Sequence, residues 1–302
     1  MLSISVKKAH VFTRNMWGGN PAGIVLPGPT LPSRSMTCIA DILNPVSETV
    51  FISASEKADH RFRFFTPTSE IDICGHATIG AFFAVYGDIP SEQETMTRHV
   101  ETACGIFSIS LHFVKKKLST VMMNQGSPRL IDPSVDPGPL HEILGTCPAD
   151  LIASLPIQVL STGRPKLIVP LRSMDTLNSL QPDFSRMMEF CDEIGATGVH
   201  VFTFETVDPE SFVHCRHFAP NVGVEEDPAT GNSNAALAGY LLNNRRLERL
   251  EFSAEQGYAM GRPSVLRVSV NPQTHEASVG GSALIVMEGS LLLQDLVTGQ
   301  TD

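Results

Sequence analysis

The chain carries one sequence pattern twice, and this repeat limits how it can fold more than any other feature. Arg63-Phe64-Phe65-Thr66-Pro67 leads to Cys74-Gly75-His76-Ala77-Thr78, and Arg216-His217-Phe218-Ala219-Pro220 leads to Asp227-Pro228-Ala229-Thr230-Gly231. Both pieces are offset by 153 residues (216 − 63 and 227 − 74). A register kept in this way indicates duplication of a structural unit. It predicts two related domains in which Cys74 and Asp227 occupy equivalent positions.

Composition narrows the class of protein. At 302 residues the chain has room for two domains of ordinary size. Its net charge of −10 argues against a nucleic-acid-binding surface, which needs clustered Lys and Arg side chains. It shows no apolar run of membrane-spanning length and no apolar block typical of a secretion signal. Its six cysteines, without a Cys-x-x-Cys spacing, are therefore expected to be reduced thiols in a cytoplasmic protein.

Two segments, residues 77–86 and 234–242, are apolar on nearly every side when they are placed on a helix. A helix without a polar face has to be enclosed by other elements. Both segments follow runs with the residue pattern of short strands, residues 60–66 and 212–218. The sequence therefore predicts an α+β fold of two pseudo-symmetric domains, each a β-barrel wrapped around a central apolar α-helix.

A proline-rich stretch, residues 128–139, is interpreted as the linker between the domains. The first domain is expected to contain residues 1–125 together with a C-terminal strand at about 283–302. The second is expected to contain residues 126–282. The active site is expected in the cleft between them.

Each apolar helix begins just after the repeated motif, near Gly75 in one copy and Gly231 in the other. The first N–H groups of a helix have no acceptor within it, and they attract anions. Two such helix starts facing one cleft would suit a small carboxylate. The alternative is that these glycines only permit tight turns.

Three side chains near the motifs are candidates for proton transfer. Glu48 lies between a predicted helix and an apolar strand, where it could act as general acid and base or simply be a solvated residue. Asp227 could handle a proton or cap the following helix. Cys74 could relay protons with Asp227 or be a small buried hydrophobic residue.

The histidines offer little sign of a metal site. Ten are present, without a His-x-x-x-His or His-Glu-x-x-His spacing, and the chain has no P-loop and no Gly-x-Gly-x-x-Gly. The sequence therefore predicts no metal ion.

Further short motifs accompany the repeated pattern along the chain, namely Val11-Phe12-Thr13, Gly19-Asn20-Pro21-Ala22-Gly23, Ser47-Glu48-Thr49-Val50-Phe51, Glu226, Gln256-Gly257 and Gly261-Arg262-Pro263-Ser264. Taken in order, these motifs and the repeat span almost the whole chain and resemble those of the PhzF family, named for phenazine biosynthesis. The chain departs from the family at Asn44-Pro45-Val46-Ser47 and at Asn232, where the family often has serine; both places are expected to lie near the substrate.

The resemblance implies the diaminopimelate-epimerase-like fold and a cofactor-independent isomerase. It also implies a homodimer, because members of the family commonly form one. It assigns proton transfer to Glu48 and supporting catalytic roles to His76 and Asp227. Cys74 matches one of the two catalytic cysteines of the related epimerases, and Asp227 stands where the other would be. The residues expected to contact substrate are Asn20, Ser47, Cys74, Gly75, Thr230, Gly231 and Asn232.

Three functions remain open at this stage. The first is an isomerase in which Glu48 takes a proton from one carbon of a small carboxylate and returns it to another. The second is an amino- or hydroxy-acid epimerase or dehydratase that uses Cys74 or Asp227. The third is a non-catalytic metabolite-binding protein of the same fold.

Overall fold

The computed structural model describes residues 2–13, 15–28, 30–246 and 250–293. The chain divides into two compact units, one formed by Met1–Met123 with Gly280–Asp302 and the other by Asn124–Val279. A C-terminal strand is present over Ala283–Leu293. The remainder of the strand expected at 283–302 lies outside the described residues.

The architecture is mixed α/β and dominated by strands. Among the described residues, no helix has both the length and the apolar content that crossing a membrane requires. The helices are α1 (Ser33–Ile42), α2 (Gly75–Tyr86), α3 (Gly138–Leu144), α4 (Met174–Ser179), α5 (Phe184–Glu193) and α6 (Gly231–Asn243). The strands are β1 (Leu2–Val11), β2 (Asn20–Val25), β3 (Glu48–Ser53), β4 (His60–Phe65), β5 (Glu70–Ile71), β6 (Thr95–Thr102), β7 (Gly105–Val114), β8 (Lys117–Asn124), β9 (Arg129–Asp132), β10 (Gln158–Ser161), β11 (Pro165–Pro170), β12 (Val199–Thr203), β13 (Val213–Phe218), β14 (Glu251–Gln256), β15 (Ser264–Val270), β16 (Ala277–Gly281) and β17 (Ala283–Leu293).

The two units build their sheets by the same series of strand pairings. In the first unit β1 and β2 are antiparallel, β2 and β3 parallel, β3 and β4 antiparallel, β4 and β6 parallel, and β6 and β7 antiparallel. In the second unit β10 to β15 repeat this series without change. The strands β4 and β13 keep the 153-residue offset from end to end. The duplication predicted from the sequence is therefore confirmed at the level of strand pairing.

Each unit encloses one apolar helix. All eight residues from Ala77 to Ala84 of α2 are buried, and α2 packs against β1, β2, β3 and β17. Helix α6 is buried from Ser233 to Leu241 and packs against β9, β10, β11 and β15. Both helices were expected from their lack of a polar face, and the strands of each unit supply the apolar surface that this pattern requires.

The proline-rich stretch at residues 128–139 is not a free linker. It contains β9, which pairs with β10, and it reaches the start of α3 at Gly138. Pro128 and Pro133 flank β9 without interrupting it, so every residue of the strand retains its backbone N–H. Prolines at the ends of a strand are compatible with pairing, which is why composition alone was misleading here.

A substitution at Gly239 of α6 tests how closely this helix packs against the residues around it in the second unit. A Cβ atom at Gly239 would lie 2.3 Å from Cβ of Pro128, whereas a Cβ at Gly231 of the same helix would have 3.8 Å to its nearest neighbour, Val279. Gly239→Ala should therefore lower the free energy of unfolding by about 1–3 kcal/mol in urea denaturation. Gly231→Ala is the matched control and should change it by less than about 0.5 kcal/mol. Equal stability of the two variants would contradict this packing.

Candidate active site

The start of helix α2 is open and uncapped. Cys74 precedes it in an extended conformation, and the first helical hydrogen bond runs from the Thr78 N–H to the Cys74 carbonyl at 3.0 Å. The Cys74 side chain makes no capping hydrogen bond to this end of the helix, and the first turn contains no acidic residue. A Cβ atom at Gly75 would meet no atom within 4 Å. The leading amides, which have no acceptor inside the helix, therefore adjoin space that an anionic ligand could occupy.

Glu48 begins strand β3 and is the register partner of Ala22 on β2. Its side chain is 21% exposed, and its Oε2 atom lies 3.3 Å from Nε2 of His76. The two atoms are close, yet their geometry does not make a hydrogen bond, and Oε2 is buried without a hydrogen-bond partner among the described residues. A buried carboxylate oxygen without a partner is costly in a folded protein and is typical of a functional group.

The imidazole of His76 contacts three side chains. Its Nε2 atom lies 3.3 Å from Oε2 of Glu48 and 3.3 Å from Oγ of Ser47. Its Nδ1 atom lies 3.4 Å from Sγ of Cys74. Which nitrogen carries the proton decides whether Ser47 and Cys74 accept a hydrogen bond from the ring or donate one to it.

The structure thus brings five of the predicted site residues to one place in the first unit, namely Ser47, Glu48, Cys74, Gly75 and His76. Asn20, predicted to contact substrate, is the first residue of β2 and is buried. It lies two residues before Ala22, the register partner of Glu48.

In the second unit the equivalence expected between Cys74 and Asp227 is wrong by three residues. Thr230, not Asp227, precedes helix α6 in the extended conformation that Cys74 has before α2. The offset between the units is therefore 153 residues at the strands but 156 at the helix starts (230 − 74). The second copy has three additional residues between its strand and its helix.

Asp227 is therefore not the capping residue of α6, because Thr230 occupies that position. Its carboxylate accepts a hydrogen bond from the Thr230 hydroxyl, and its backbone N–H donates to the His217 carbonyl at 3.0 Å. Gly231 and Asn232 follow Thr230 as the first residues of α6. The Asn232 carbonyl accepts from the Thr162 hydroxyl at 3.4 Å. The four predicted residues of this unit therefore share one turn, with Asp227 bound to Thr230.

Gln256 holds this turn, and the sequence motif that contains it did not indicate this role. The side chain is fully buried at the end of β14. Its amide nitrogen donates to the Asp227 carbonyl at 2.7 Å and to the Thr230 hydroxyl at 3.0 Å. Its amide oxygen accepts from the Thr230 N–H at 3.3 Å and from the Asn234 side chain at 3.0 Å. Both N–H groups of the amide donate and its oxygen accepts two hydrogen bonds, so the whole hydrogen-bonding capacity of the side chain is used to fix the start of α6.

A buried basic cluster that sequence reasoning also missed lies in the same unit. Lys166 is 3% exposed, and its Nζ atom donates to the Thr197 hydroxyl at 2.9 Å. Burial, reinforced by the charge of Arg164, lowers the pKa of Lys166 to about 8. Burial likewise lowers the pKa of His200 to about 3, so that its imidazole is neutral near pH 7. The only sequence signal was the presence of Lys and His inside apolar strands.

Chemically, the first unit offers a carboxylate, an imidazole and a thiol beside the amides of a helix start. Such a set can take up and release a proton while the amides hold a carboxylate or a developing oxyanion. One ligand atom each from Glu48, Cys74 and His76 lie within 4.8 Å of one another, which is also compatible with a metal ion.

Comparison with known proteins gives consistent matches along the whole chain. A family model described as "phenazine biosynthesis-like protein" (PhzC-PhzF) matches residues 9–289. The chain is 35% identical to an "uncharacterized isomerase" of Clostridium acetobutylicum, over 93% of this chain and 96% of that protein. It is 33% identical to the "uncharacterized isomerase YfhB" of Bacillus subtilis, over 98% of both chains.

Solved structures show the same likeness. A PhzF-family phenazine biosynthesis protein of Bacillus anthracis aligns with a TM-score of 0.86 at 30% identity, over 97% of this chain and all of that chain. A hydroxyproline epimerase of Agrobacterium vitis, solved with trans-4-hydroxy-L-proline, aligns with a TM-score of 0.61 at 14% identity, over 97% of this chain and 93% of that chain. At this low identity the second match shows a shared fold alone.

The role of Gln256 can be tested by stability. Gln256→Leu removes one hydrogen bond each from the Asp227 carbonyl, the Thr230 N–H and the Asn234 amide, so the free energy of unfolding should fall by about 3 kcal/mol. Guanidinium denaturation measures this change. The control, Gln273→Leu, alters an exposed glutamine and should have an effect below about 0.5 kcal/mol. A similar small loss in both variants would contradict the bridging role.

Lys166 should make stability depend on pH. Its pKa is about 8 in the folded protein and 10.5 for the ordinary group, so between these values the unfolded chain binds more protons. Folding is therefore opposed by Lys166 at pH 7, and the opposition is relieved as pH rises from about 8 to about 10.5.

The stability of wild type relative to Lys166→Met should accordingly rise by about 3 kcal/mol between pH 7 and pH 11. Chemical denaturation of both proteins at each pH measures this difference, in which titrations common to the two proteins cancel. Lys57→Met, at an exposed lysine, serves as control and should show a constant difference from wild type. A constant difference for Lys166→Met as well would show that the ammonium is not desolvated.

Proposed function

Because the chain belongs to the phenazine biosynthesis-like (PhzC-PhzF) family, we propose that it is an isomerase in which Glu48 moves a proton on a small carboxylate substrate. Curated relatives that match more than nine-tenths of the chain carry the name isomerase. The reaction needs one group that removes a proton from carbon and returns it elsewhere on the same molecule. Glu48 is that group in this proposal.

The environment of Glu48 supports the assignment most directly. Its Oε2 atom is buried and has no hydrogen-bond partner among the described residues, so a lone pair is available for a substrate proton. The carboxylate is still partly exposed, which allows a substrate to approach it. A positioned general base of this kind typically contributes about 10²–10⁴ in rate.

His76 and the start of α2 supply the complementary charge. The imidazole Nε2 lies 3.3 Å from the carboxylate of Glu48, where it can stabilise charge as the proton moves. The uncapped amides at Gly75 and His76 are suited to hold the substrate carboxylate or an oxyanion that develops next to the reacting carbon. In this proposal Asp227 orients the substrate, and its hydrogen bonds with Thr230 and Gln256 hold it in place.

A second candidate function, epimerisation of an amino or hydroxy acid, is favoured by one observation. Sγ of Cys74 lies 3.4 Å from Nδ1 of His76 at a helix N-terminus. A thiol beside an imidazole at a helix start is an arrangement that enzymes use for bases and nucleophiles, here for proton removal at an α-carbon. Thr230 takes the place of Cys74 in the second unit, so a matching pair of thiols is absent at these two helix starts.

Hydrogen exchange distinguishes the two functions. Purified protein is incubated in D₂O with a panel of small cyclic carboxylates and amino acids, and deuterium uptake into each is followed by mass spectrometry. Glu48→Gln preserves shape but removes the base, so exchange should fall by about 10²-fold or more. Glu56→Gln, an exposed carboxylate on the same unit, is the matched control and should exchange like wild type.

The proposal fails if Glu48→Gln retains the exchange rate of the wild type on a substrate that the wild type converts. Loss of α-carbon exchange in Cys74→Ser, with exchange kept in Glu48→Gln, would support the epimerase instead. Absence of exchange with every compound of the panel would contradict proton-transfer activity on these substrate classes.

A further inference from the structure

We propose that Glu48, Cys74 and His76 form a binding site for a thiophilic divalent cation such as Zn²⁺, and that occupation of this site blocks the enzyme reversibly. Thiolate, imidazole and carboxylate are the three ligand types that Zn²⁺ prefers in proteins. These residues form the one such group of three found within residues 2–13, 15–28, 30–246 and 250–293. The histidine spacing gave no hint of it, because the ligands come from a strand start and a helix start.

The distances are close to those of a zinc site. Bonds of about 2.0–2.3 Å place tetrahedral ligands roughly 3.3–3.8 Å apart. Nε2 of His76 lies 3.3 Å from Oε2 of Glu48 and 3.9 Å from Sγ of Cys74. The carboxylate oxygen of Glu48 and Sγ of Cys74 lie within 4.8 Å of each other. The side chains would therefore have to move by about 1 Å for all three ligand atoms to bind one ion.

The unsatisfied oxygen is a second, independent sign of a ligand. Oε2 of Glu48 is buried, and no described residue donates a hydrogen bond to it. A cation would satisfy this oxygen directly. Ser47, whose hydroxyl lies 3.3 Å from the same ring nitrogen, would give up that contact when Nε2 binds the ion.

A cation bound at this site is expected to inhibit the enzyme. Three protein ligands leave a fourth position to water or to a substrate oxygen. Coordination takes the lone pair that Glu48 would use as a base, and the proton of the Cys74 thiol passes to solvent as the thiolate binds. The inhibitory consequence rests on the proposed function, whereas the binding itself does not.

Cobalt provides a readout of binding that is independent of turnover. The full-length protein, kept reduced and free of oxygen, is titrated with CoCl₂. Coordination by Cys74 should produce a thiolate-to-cobalt charge-transfer band in the near ultraviolet, together with the visible bands of four-coordinate cobalt. Addition of Zn²⁺ should abolish both, and competition with a chromophoric chelator then gives the Zn²⁺ affinity.

The matched pair of variants is Cys74→Ser and Cys104→Ser. Cys104 is exposed on the turn between β6 and β7, so its loss should leave the spectrum and the Zn²⁺ affinity unchanged. Cys74→Ser should lose the charge-transfer band, and its Zn²⁺ affinity should fall by about 100-fold or more. Glu48→Gln should retain the band but bind Zn²⁺ more weakly.

The metal site is overturned if the wild type gives no charge-transfer band, or if Cys74→Ser keeps it. Failure of the proposed function has a different signature. If Zn²⁺ binds through Cys74 but deuterium exchange continues at full rate, the inhibitory role fails and Glu48 is not the base. If Zn²⁺ does not bind but Glu48→Gln abolishes exchange, the metal site fails and the isomerase stands.

Discussion

Enclosure of an apolar helix is the constraint on which each unit depends. Helices α2 and α6 have no polar face, so other elements must cover them, and each packs against strands of its own unit. The polar groups that such a helix cannot bury are those at its ends. The helix start is therefore the place where backbone amides and side chains of chemical use can gather, and both sets of candidate residues lie there.

Duplication repeated the backbone but not the chemistry. Cys74 and Thr230 stand at the same point before their helices. In the first unit the thiol adjoins an imidazole and a carboxylate with an unsatisfied oxygen. In the second unit the hydroxyl is bound within a turn that Gln256 holds through several hydrogen bonds. A buried oxygen of Glu48 has no hydrogen-bond partner among the described residues, whereas the Thr230 hydroxyl is hydrogen-bonded to Asp227. For this reason we propose proton transfer and cation binding in the first unit, at Glu48, Cys74 and His76.

Much of the fold could be predicted from the sequence, because hydrophobic periodicity and strand composition are local properties. The apolar helices and the repeated strands were recognised in this way. The sequence analysis paired Cys74 with Asp227 instead of Thr230, because a constant offset between motifs does not reveal three residues inserted between the strand and the helix. Gln256, Lys166 and His200 were missed because burial of a polar side chain depends on neighbours distant in sequence. The joint action of Asp227 and Glu48 on one substrate stays a prediction.

The sequence by itself determined the duplication, the mixed α/β class, the two enclosed helices and membership of a family of isomerases. Each of these follows from repeats, motifs or hydrophobic patterns within short stretches of the chain. Only the tertiary structure decided which groups meet. Glu48 and His76 are 28 positions apart in the chain, yet their Oε2 and Nε2 atoms lie 3.3 Å apart. Proximity of this kind depends on how strand β3 and helix α2 pack, and therefore on contacts that residue order alone does not specify.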